Sequence, residues 1–193
     1  MARVREFDAD EAVRRAMDLF WEQGYEATSL RDLTEALGIG SGSLYAAFGN
    51  KDGLFQAALA RYQQEQAQPI LDTFAAEGDV RAELREVLGG VVAMAVSDHR
   101  RRGCLVVNSA TERIPRDADT AAAVRRILTS IEGAIEDALR RAQQHGELDP
   151  GKDPAALAGF FVTFMNGLRV AAKTNPDERA LMQCVEVALT VLD

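Results

Sequence analysis

Residues 28–54 constrain the fold of this chain more than any other stretch. Ser29 and Asp32 have the spacing of an N-terminal capping box, and leucines follow at helical spacing up to position 37. Gly38 comes next, where a left-handed residue is expected to end the helix. A second short helix then places Leu44 and Phe48 four residues apart. Two short helices around a glycine-containing turn form a helix-turn-helix, whose second helix enters a DNA major groove.

The motif is more specific than a bare helix-turn-helix. From Gly38 to Leu54 the sequence follows the order G-I-x-x-G-x-L-Y-x-x-F-x-x-K-x-x-L. This order resembles the signature of the TetR/AcrR family of bacterial regulators, and the detailed match covers about the first quarter of the chain. The resemblance implies an N-terminal three-helix DNA-binding domain, residues 1–50. It also implies a C-terminal helical domain for ligand binding and dimerisation, residues 51–193.

Helical periodicity continues through the rest of the chain and predicts an all-α protein of about nine helices, with no strand. Aspartate or asparagine stands before most of the apolar runs, as expected of N-caps. The expected starts are at Asp8, Asn50, Asp79, Asp117 or Asp119, Asp153 and Asn175. Pro69 is expected to kink or end the fourth helix, because proline lacks the N–H that a helix interior needs.

Charge is unusual for a protein that binds DNA. The net charge is −8, and acidic residues outnumber basic ones over residues 1–55. This balance argues against broad non-specific DNA binding but allows a small set of well-placed contacts. Arg3 and Arg5 form a short basic arm before the first helix.

The two cysteines lack the spacing of a metal site, the N-terminus lacks the apolar core of a signal peptide, and no apolar run reaches the ~18 residues that span a membrane. Together these observations favour a reduced cytoplasmic protein. We therefore expect no metal, no cofactor and no membrane partner.

Seven residues are candidates for DNA contact. Ser41 and Ser43 offer short hydroxyls for base edges, and Gly42 allows the backbone to approach the groove floor. The resemblance assigns Thr28, Tyr45 and Lys51 to the phosphate backbone. The complete candidate set is Thr28, Ser29, Ser41, Gly42, Ser43, Tyr45 and Lys51. Gly40 departs from the family pattern, because a Ser or Thr usually caps the second helix there.

The C-terminal half is expected to bind a ligand and a second subunit. Residues 157–172 are apolar almost all round, so this helix needs partners on most sides. The resemblance implies that residues 154–192 pair with their copies in a symmetric homodimer, and that the preceding helices enclose a pocket. The candidate pocket residues are Met94, Cys104, Leu105, Asn108, Ile127, Ile131, Phe161, Phe164 and Met165. Because most of these are apolar, we expect a largely apolar small-molecule effector.

These observations favour a repressor that a ligand releases from a palindromic DNA operator. An enzyme is not expected, because His99 and His145 are the only histidines and no catalytic motif is present. Two alternatives remain open. The acidic first lobe would suit an all-helical interaction module that has lost DNA binding. Cys104, close to the basic run at 100–102, would suit a cysteine-based electrophile sensor.

Overall fold

The computed structural model describes residues 7–76, 78–114 and 116–193. The helices are α1 (Ala9–Gln23), α2 (Leu30–Leu37), α3 (Ser41–Phe48), α4 (Lys51–Tyr62), α5 (Gln68–Ala75), α6 (Val80–Ser97), α7 (Leu105–Arg113), α8 (Ala118–His145), α9 (Pro154–Thr174) and α10 (Glu178–Leu189). A π-helical turn, Gln63–Ala67, joins α4 to α5 without a break. Counted this way, the described part of the chain holds nine separate α-helices and no strand, so the all-α prediction is confirmed. The predicted basic arm, Arg3 and Arg5, lies outside the described residues.

Side-chain caps start most of the helices where they were predicted. The side chains of Asp8, Asn50, Asp79, Asp117 and Asp153 each accept a backbone N–H from the first turn that follows. The last helix differs from its prediction. The N–H of Asn175 still donates to Ala171 at the end of α9, and Asp177 caps α10 instead.

Pro69 lies within a continuous helical segment and does not end it. Gln68 donates its backbone N–H to the carbonyl of Gln63, five residues earlier, which is the π-helical pattern. Pro69 then falls in the first turn of α5, where a missing N–H costs little. The helix continues to Ala75, so α4, the π-turn and α5 form one continuous helical rod from Lys51 to Ala75.

The first lobe packs around aromatic side chains of α1 and α4. The rings of Phe20 and Phe55 meet edge to face, with centroids 5.0 Å apart. Leu33 of α2, Leu44 of α3 and Leu54 of α4 are fully buried. The apolar faces of the two short helices therefore hold α3 against α4, which fixes the direction in which its outer face points.

The second lobe is built on α8 and α9, which pack against each other, and α6 packs against both α9 and α10. Among the described helices, α9 alone is long and apolar enough to span a membrane, with a mean hydropathy of 1.4 over its best window. This differs from the expectation that no stretch is apolar enough. Core helices of soluble proteins share the property, and here α6, α8 and α10 pack around α9.

Candidate nucleic-acid interface and ligand groove

The helix-turn-helix forms as its residue types predict. The hydroxyl of Ser29 accepts the N–H of Asp32 at 3.1 Å, and the carboxylate of Asp32 accepts the N–H of Ser29 at 2.8 Å. Gly38 ends α2 in the left-handed region, with φ of 68°. Gly40 then begins α3 without a side-chain cap, so the N–H groups of this first turn keep no side-chain acceptor.

The outer face of α3 is small, polar and uncharged. Ser41, Gly42 and Tyr45 are exposed, and Ser43 is half-buried beside the fully buried Leu44. Among the described residues, no atom outside the adjoining residues and the backbone of α3 lies within 4 Å of where a Cβ of Gly42 would stand. A base edge or a sugar-phosphate chain could therefore approach the backbone closely, flanked by two serine hydroxyls.

The three residues that the resemblance assigns to phosphate occupy different environments. Tyr45 is 46% exposed on α3. Lys51 is half-buried, with its Nζ 4.0 Å from the centroid of the Tyr25 ring, and burial lowers its pKa. Thr28 is fully buried, and its hydroxyl donates to the carbonyl of Gly24 at 2.6 Å. Its side chain stabilises the turn before α2 and is not part of the exposed surface.

Behind this surface, a buried arginine joins four elements. We name Tyr25, Asp52, Arg113 and Asp117 the Arg113 cluster. The guanidinium of Arg113 lies 3.4 Å from the Tyr25 ring centroid, and its Nη2 donates to Asp52 at 2.8 Å and to Asp117 at 2.6 Å. Tyr25 donates its hydroxyl to Asp52 at 2.7 Å. The cluster therefore connects the turn after α1, the start of α4, the end of α7 and the start of α8.

The carboxylates of the cluster are held in their charged form. Hydrogen bonds from Thr120, with a further one from Arg113, lower the pKa of Asp117 to about 2. Hydrogen bonds from Tyr25 and Arg113 likewise lower the pKa of Asp52. Both carboxylates therefore stay ionised at neutral pH, where they pair with the permanent charge of Arg113.

Three further hydrogen bonds join α1 and the turn after it to the second lobe. The carboxylate of Glu112 accepts the backbone N–H groups of Tyr25 at 2.9 Å and Glu26 at 2.8 Å. The indole N–H of Trp21 donates to the carbonyl of Gly103 at 3.0 Å. Glu112 and Arg113 are not among the residues that the sequence predicts to be functional. The available signal was a pair of opposite charges at the end of an otherwise apolar segment.

The basic run at 100–102 is largely occupied by carboxylates. Arg100 donates to Glu22 at 2.7 Å. Arg102 contacts Asp18 and Asp98, each at 3.3 Å, and its guanidinium lies 4.1 Å from the Trp21 ring centroid. Part of the acidic charge of the first lobe therefore faces this run and not the outer face of α3.

A groove opens between α5, α6 and α9, beside the π-turn. Its volume is about 250 Å³, and a smaller space of about 40 Å³ lies next to Trp21 and Tyr62. Val91, Met94 and Arg169 line both spaces. This concavity is the best candidate for a small-molecule site near α4.

The nine predicted pocket residues do not surround one cavity. Six of them are buried in the core, namely Cys104, Leu105, Ile127, Ile131, Phe161 and Met165. Met94 lines the groove, whereas Asn108 lines a separate basic concavity and donates to the carbonyl of Arg102 at 2.8 Å. Phe164 lies on the surface of α9, beside Phe160. Periodicity indicates which side of a helix is buried, but not where neighbouring helices diverge to leave space.

Cys104 is shielded from solvent. It is 3% exposed, and the hydroxyl of Tyr62 donates to its sulfur at 3.4 Å. Burial raises the pKa of Tyr62 well above its usual range, so that hydroxyl keeps its proton. The thiol is therefore a small core group in this conformation.

An exposed apolar surface covers α9 and α10. It forms a shallow concavity of about 720 Å³, lined mainly by apolar side chains that include Phe160, Phe164, Val187 and Val191. Val187 is 69% exposed and Phe160 is 40% exposed. Exposed apolar patches of this kind mark surfaces that bind another protein chain.

The three-helix first lobe, with an open helix-turn-helix surface, and the all-helical second lobe define a class of DNA-binding regulators. The family model described as bacterial regulatory proteins, tetR family, matches residues 13–58. A second model, the Tetracyclin repressor-like C-terminal domain, matches residues 80–188. The chain belongs to the TetR family.

Relatives agree with this assignment over the whole length. The chain is 35% identical to the HTH-type transcriptional regulator YezE of Bacillus subtilis (strain 168), with both chains covered in full. It is 34% identical to the transcriptional repressor ComR of Escherichia coli (strain K12), covering 97% of this chain and 90% of ComR.

A solved structure of a cysteine mutant of the TetR family regulator CifR, in complex with 26-base-pair operator DNA, has a TM-score of 0.89. It shares 38% identity and covers 99% of this chain and all of that one. The protein is therefore a helix-turn-helix transcriptional regulator and not an enzyme, as the sequence predicted.

Proposed function

We propose that the protein is a dimeric, cytoplasmic repressor that binds a palindromic operator and leaves it when a small, largely apolar ligand binds. The uncharged, open face of α3 is the observation that carries the proposal. We assign DNA binding to residues 1–50 and ligand binding with dimerisation to residues 51–193. The long rod from α4 to α5 belongs to the second domain but packs under the first.

DNA contact falls to six residues on or beside the exposed side of the motif. Ser41, Gly42 and Ser43 reach base edges, since they lead the helix into the major groove. Ser29, Tyr45 and Lys51 contact the phosphate backbone and set the orientation of the helix without reading sequence. The helix-turn-helix of each subunit would meet one half of a palindrome.

We assign dimerisation to the apolar surface of α9 and α10. A second copy would cover Phe160, Phe164 and Val187, whose burial stabilises association by ~25 cal/mol per Å² of apolar surface. Light scattering should show a dimer at micromolar concentration, and Val187→Glu should shift it to a monomer. A wild-type monomer at that concentration would contradict the assignment.

We assign the coupling between ligand and DNA to the continuous rod of α4, the π-turn and α5. The π-turn lines the groove, and the first turns of α4 pack under α3. A ligand that binds the groove more tightly in the conformation unsuited to DNA would shift the population toward it. The electrophile-sensor alternative gains no support from the geometry, because the sulfur of Cys104 is buried.

A mobility shift with DNA flanking the protein's own gene tests the proposal. The full chain should form one discrete complex that survives excess non-specific competitor DNA. Absence of any shift at micromolar protein, with the dimer intact, would favour an interaction module without DNA binding.

A further inference from the structure

We infer that the groove between α5, α6 and α9 binds an amphipathic carboxylate, whose charged group lies on Arg169 and Gln66. The inference rests on the proposed function for its regulatory meaning, but its binding chemistry stands on the groove alone. It makes the expected effector more specific, namely a largely apolar molecule that carries one anionic group.

The walls of the groove suit an aliphatic or aromatic body. Ile70 of α5 and Val87, Val91 and Met94 of α6 line it, and Gly90 leaves room between them. A volume of about 250 Å³ lies just below the roughly 300–1,000 Å³ of sites for drug-sized molecules. The groove therefore suits a small, unbranched ligand.

Arg169 is the cation of the groove and has no carboxylate partner among the described residues. Its guanidinium donates only to the neutral side chain of Asn166, at 3.3 Å. Arg61 and Arg102, which are also half-buried, both bind carboxylates, and the half-buried Arg141 donates to the backbone carbonyl of Phe74. A half-buried guanidinium with free donors is suited to hold an incoming carboxylate in a two-point contact.

Gln66 adds a second polar group at the same wall. Its Oε1 is buried and has no hydrogen-bond partner in the described part of the chain. The NH₂ group of the same amide is a donor of the kind that a carboxylate in the groove needs, and Gln66 and Arg169 both line that groove.

The acidic side chains around the groove do not neutralise Arg169. Glu65 is bound by Arg61, and Asp98 is bound by Arg102. Glu86 is exposed at the rim and makes no ion pair among the described residues. The guanidinium of Arg169, which lines both spaces, is therefore able to pair with an anionic ligand.

The chain carries its own reporter of this site. Trp21 is the single tryptophan and lines the smaller space, of about 40 Å³, together with Tyr62 and Arg169. Straight-chain carboxylates from hexanoate to decanoate and their methyl esters are the probes, titrated into the full-length protein while Trp21 fluorescence is followed. We expect at least one carboxylate to bind about tenfold or more tightly than its ester, since the ester cannot form a charge-assisted pair.

Variants assign this preference to its residue. Arg169→Gln should abolish the tenfold preference for carboxylate over ester, and Arg169→Lys should restore part of it. Arg126→Gln, which removes an exposed arginine from α8, should keep the full preference. The inference is overturned if no carboxylate of the series binds below millimolar concentration, if ester and carboxylate bind alike, or if Arg169→Gln keeps the preference.

The effect on DNA is measured separately. Addition of the tightest carboxylate to a preformed operator complex should release the DNA from the wild-type protein but not from Arg169→Gln. Binding without release would leave the carboxylate site standing and contradict only the proposed ligand-controlled release. If the carboxylate releases DNA from Arg169→Gln as readily as from the wild-type protein, the anion acts at another site.

Discussion

The outer face of α3 and the Arg113 cluster use polar groups in opposite ways. The helix α3, to which we assign DNA contact, carries no charged residue, and Ser41, Gly42 and Tyr45 on it are exposed. The cluster behind it contains a buried guanidinium whose Nη2 binds two ionised carboxylates, and a tyrosine that donates to one of them. The Nε and Nη1 of that guanidinium are buried without a hydrogen-bond partner in the described part of the chain. The net acidity of the chain therefore says little about the surface that DNA would meet. Many of the charges near the first lobe hold the two lobes together.

Removal of the central cation should have the largest effect. Arg113→Met leaves Asp52 and Asp117 without their partner and deprives the Tyr25 ring of its stacked guanidinium. Breaking a buried pair costs about 3–5 kcal/mol, and the exposure of Asp52 places the expected loss near the lower limit, ~3 kcal/mol. Urea unfolding at fixed protein concentration measures it.

Arg126→Met is the matched control, because that arginine is exposed on α8 and should cost less than about 0.5 kcal/mol. Ser41→Ala on α3 should be similarly mild. Equal stability of Arg113→Met and wild type would remove the contrast between a closed, stabilising cluster and an open, binding surface.

Low pH should remove part of the stability that the Arg113 cluster contributes. The pKa of Asp117 is lowered from 3.8 to about 2, and that of Asp52 is also lowered. Lowered carboxylate pKa values contribute stability that is complete above about pH 4 and is lost as pH falls toward about 2. The stability gap between wild type and Arg113→Met should therefore shrink between pH 4 and pH 2. A constant gap would show that stacking on Tyr25, and not the ion pairs, stabilises the junction.

The sequence predicts these two regions to different extents, because the interactions that form them join residues at different separations along the chain. Capping residues and leucine spacing are local, so Ser29, Asp32 and Gly38 suffice to predict α2, the turn and the start of α3. The Arg113 cluster joins residues up to 92 positions apart, from Tyr25 to Asp117. No local pattern shows that such residues meet. The same holds for the groove, where Gln66 and Arg169 come together only through the packing of α5, α6 and α9.

Loss of a phosphate contact should have a smaller effect, confined to DNA. Lys51→Ala should weaken operator binding by about tenfold and flatten the dependence of log affinity on log salt by about 0.9 for each phosphate released. Lys173→Ala removes the same charge from the end of α9 and should change neither quantity. Unchanged affinity and slope in Lys51→Ala would instead assign Lys51 to its stacking on Tyr25.

The smallest effects should come from the outer face of α3, and they should differ in kind. Tyr45→Phe removes one neutral hydroxyl, which is worth ~1 kcal/mol, and should weaken all operator variants alike by about fivefold, because phosphate contacts carry no sequence information. Ser41→Ala should change the order of preference among operator variants, because a hydroxyl near a base edge discriminates between bases. Affinities for a panel of single-base operator variants separate the two outcomes. A uniform loss in Ser41→Ala would place its hydroxyl on the phosphate backbone and leave base recognition to Gly42 and Ser43.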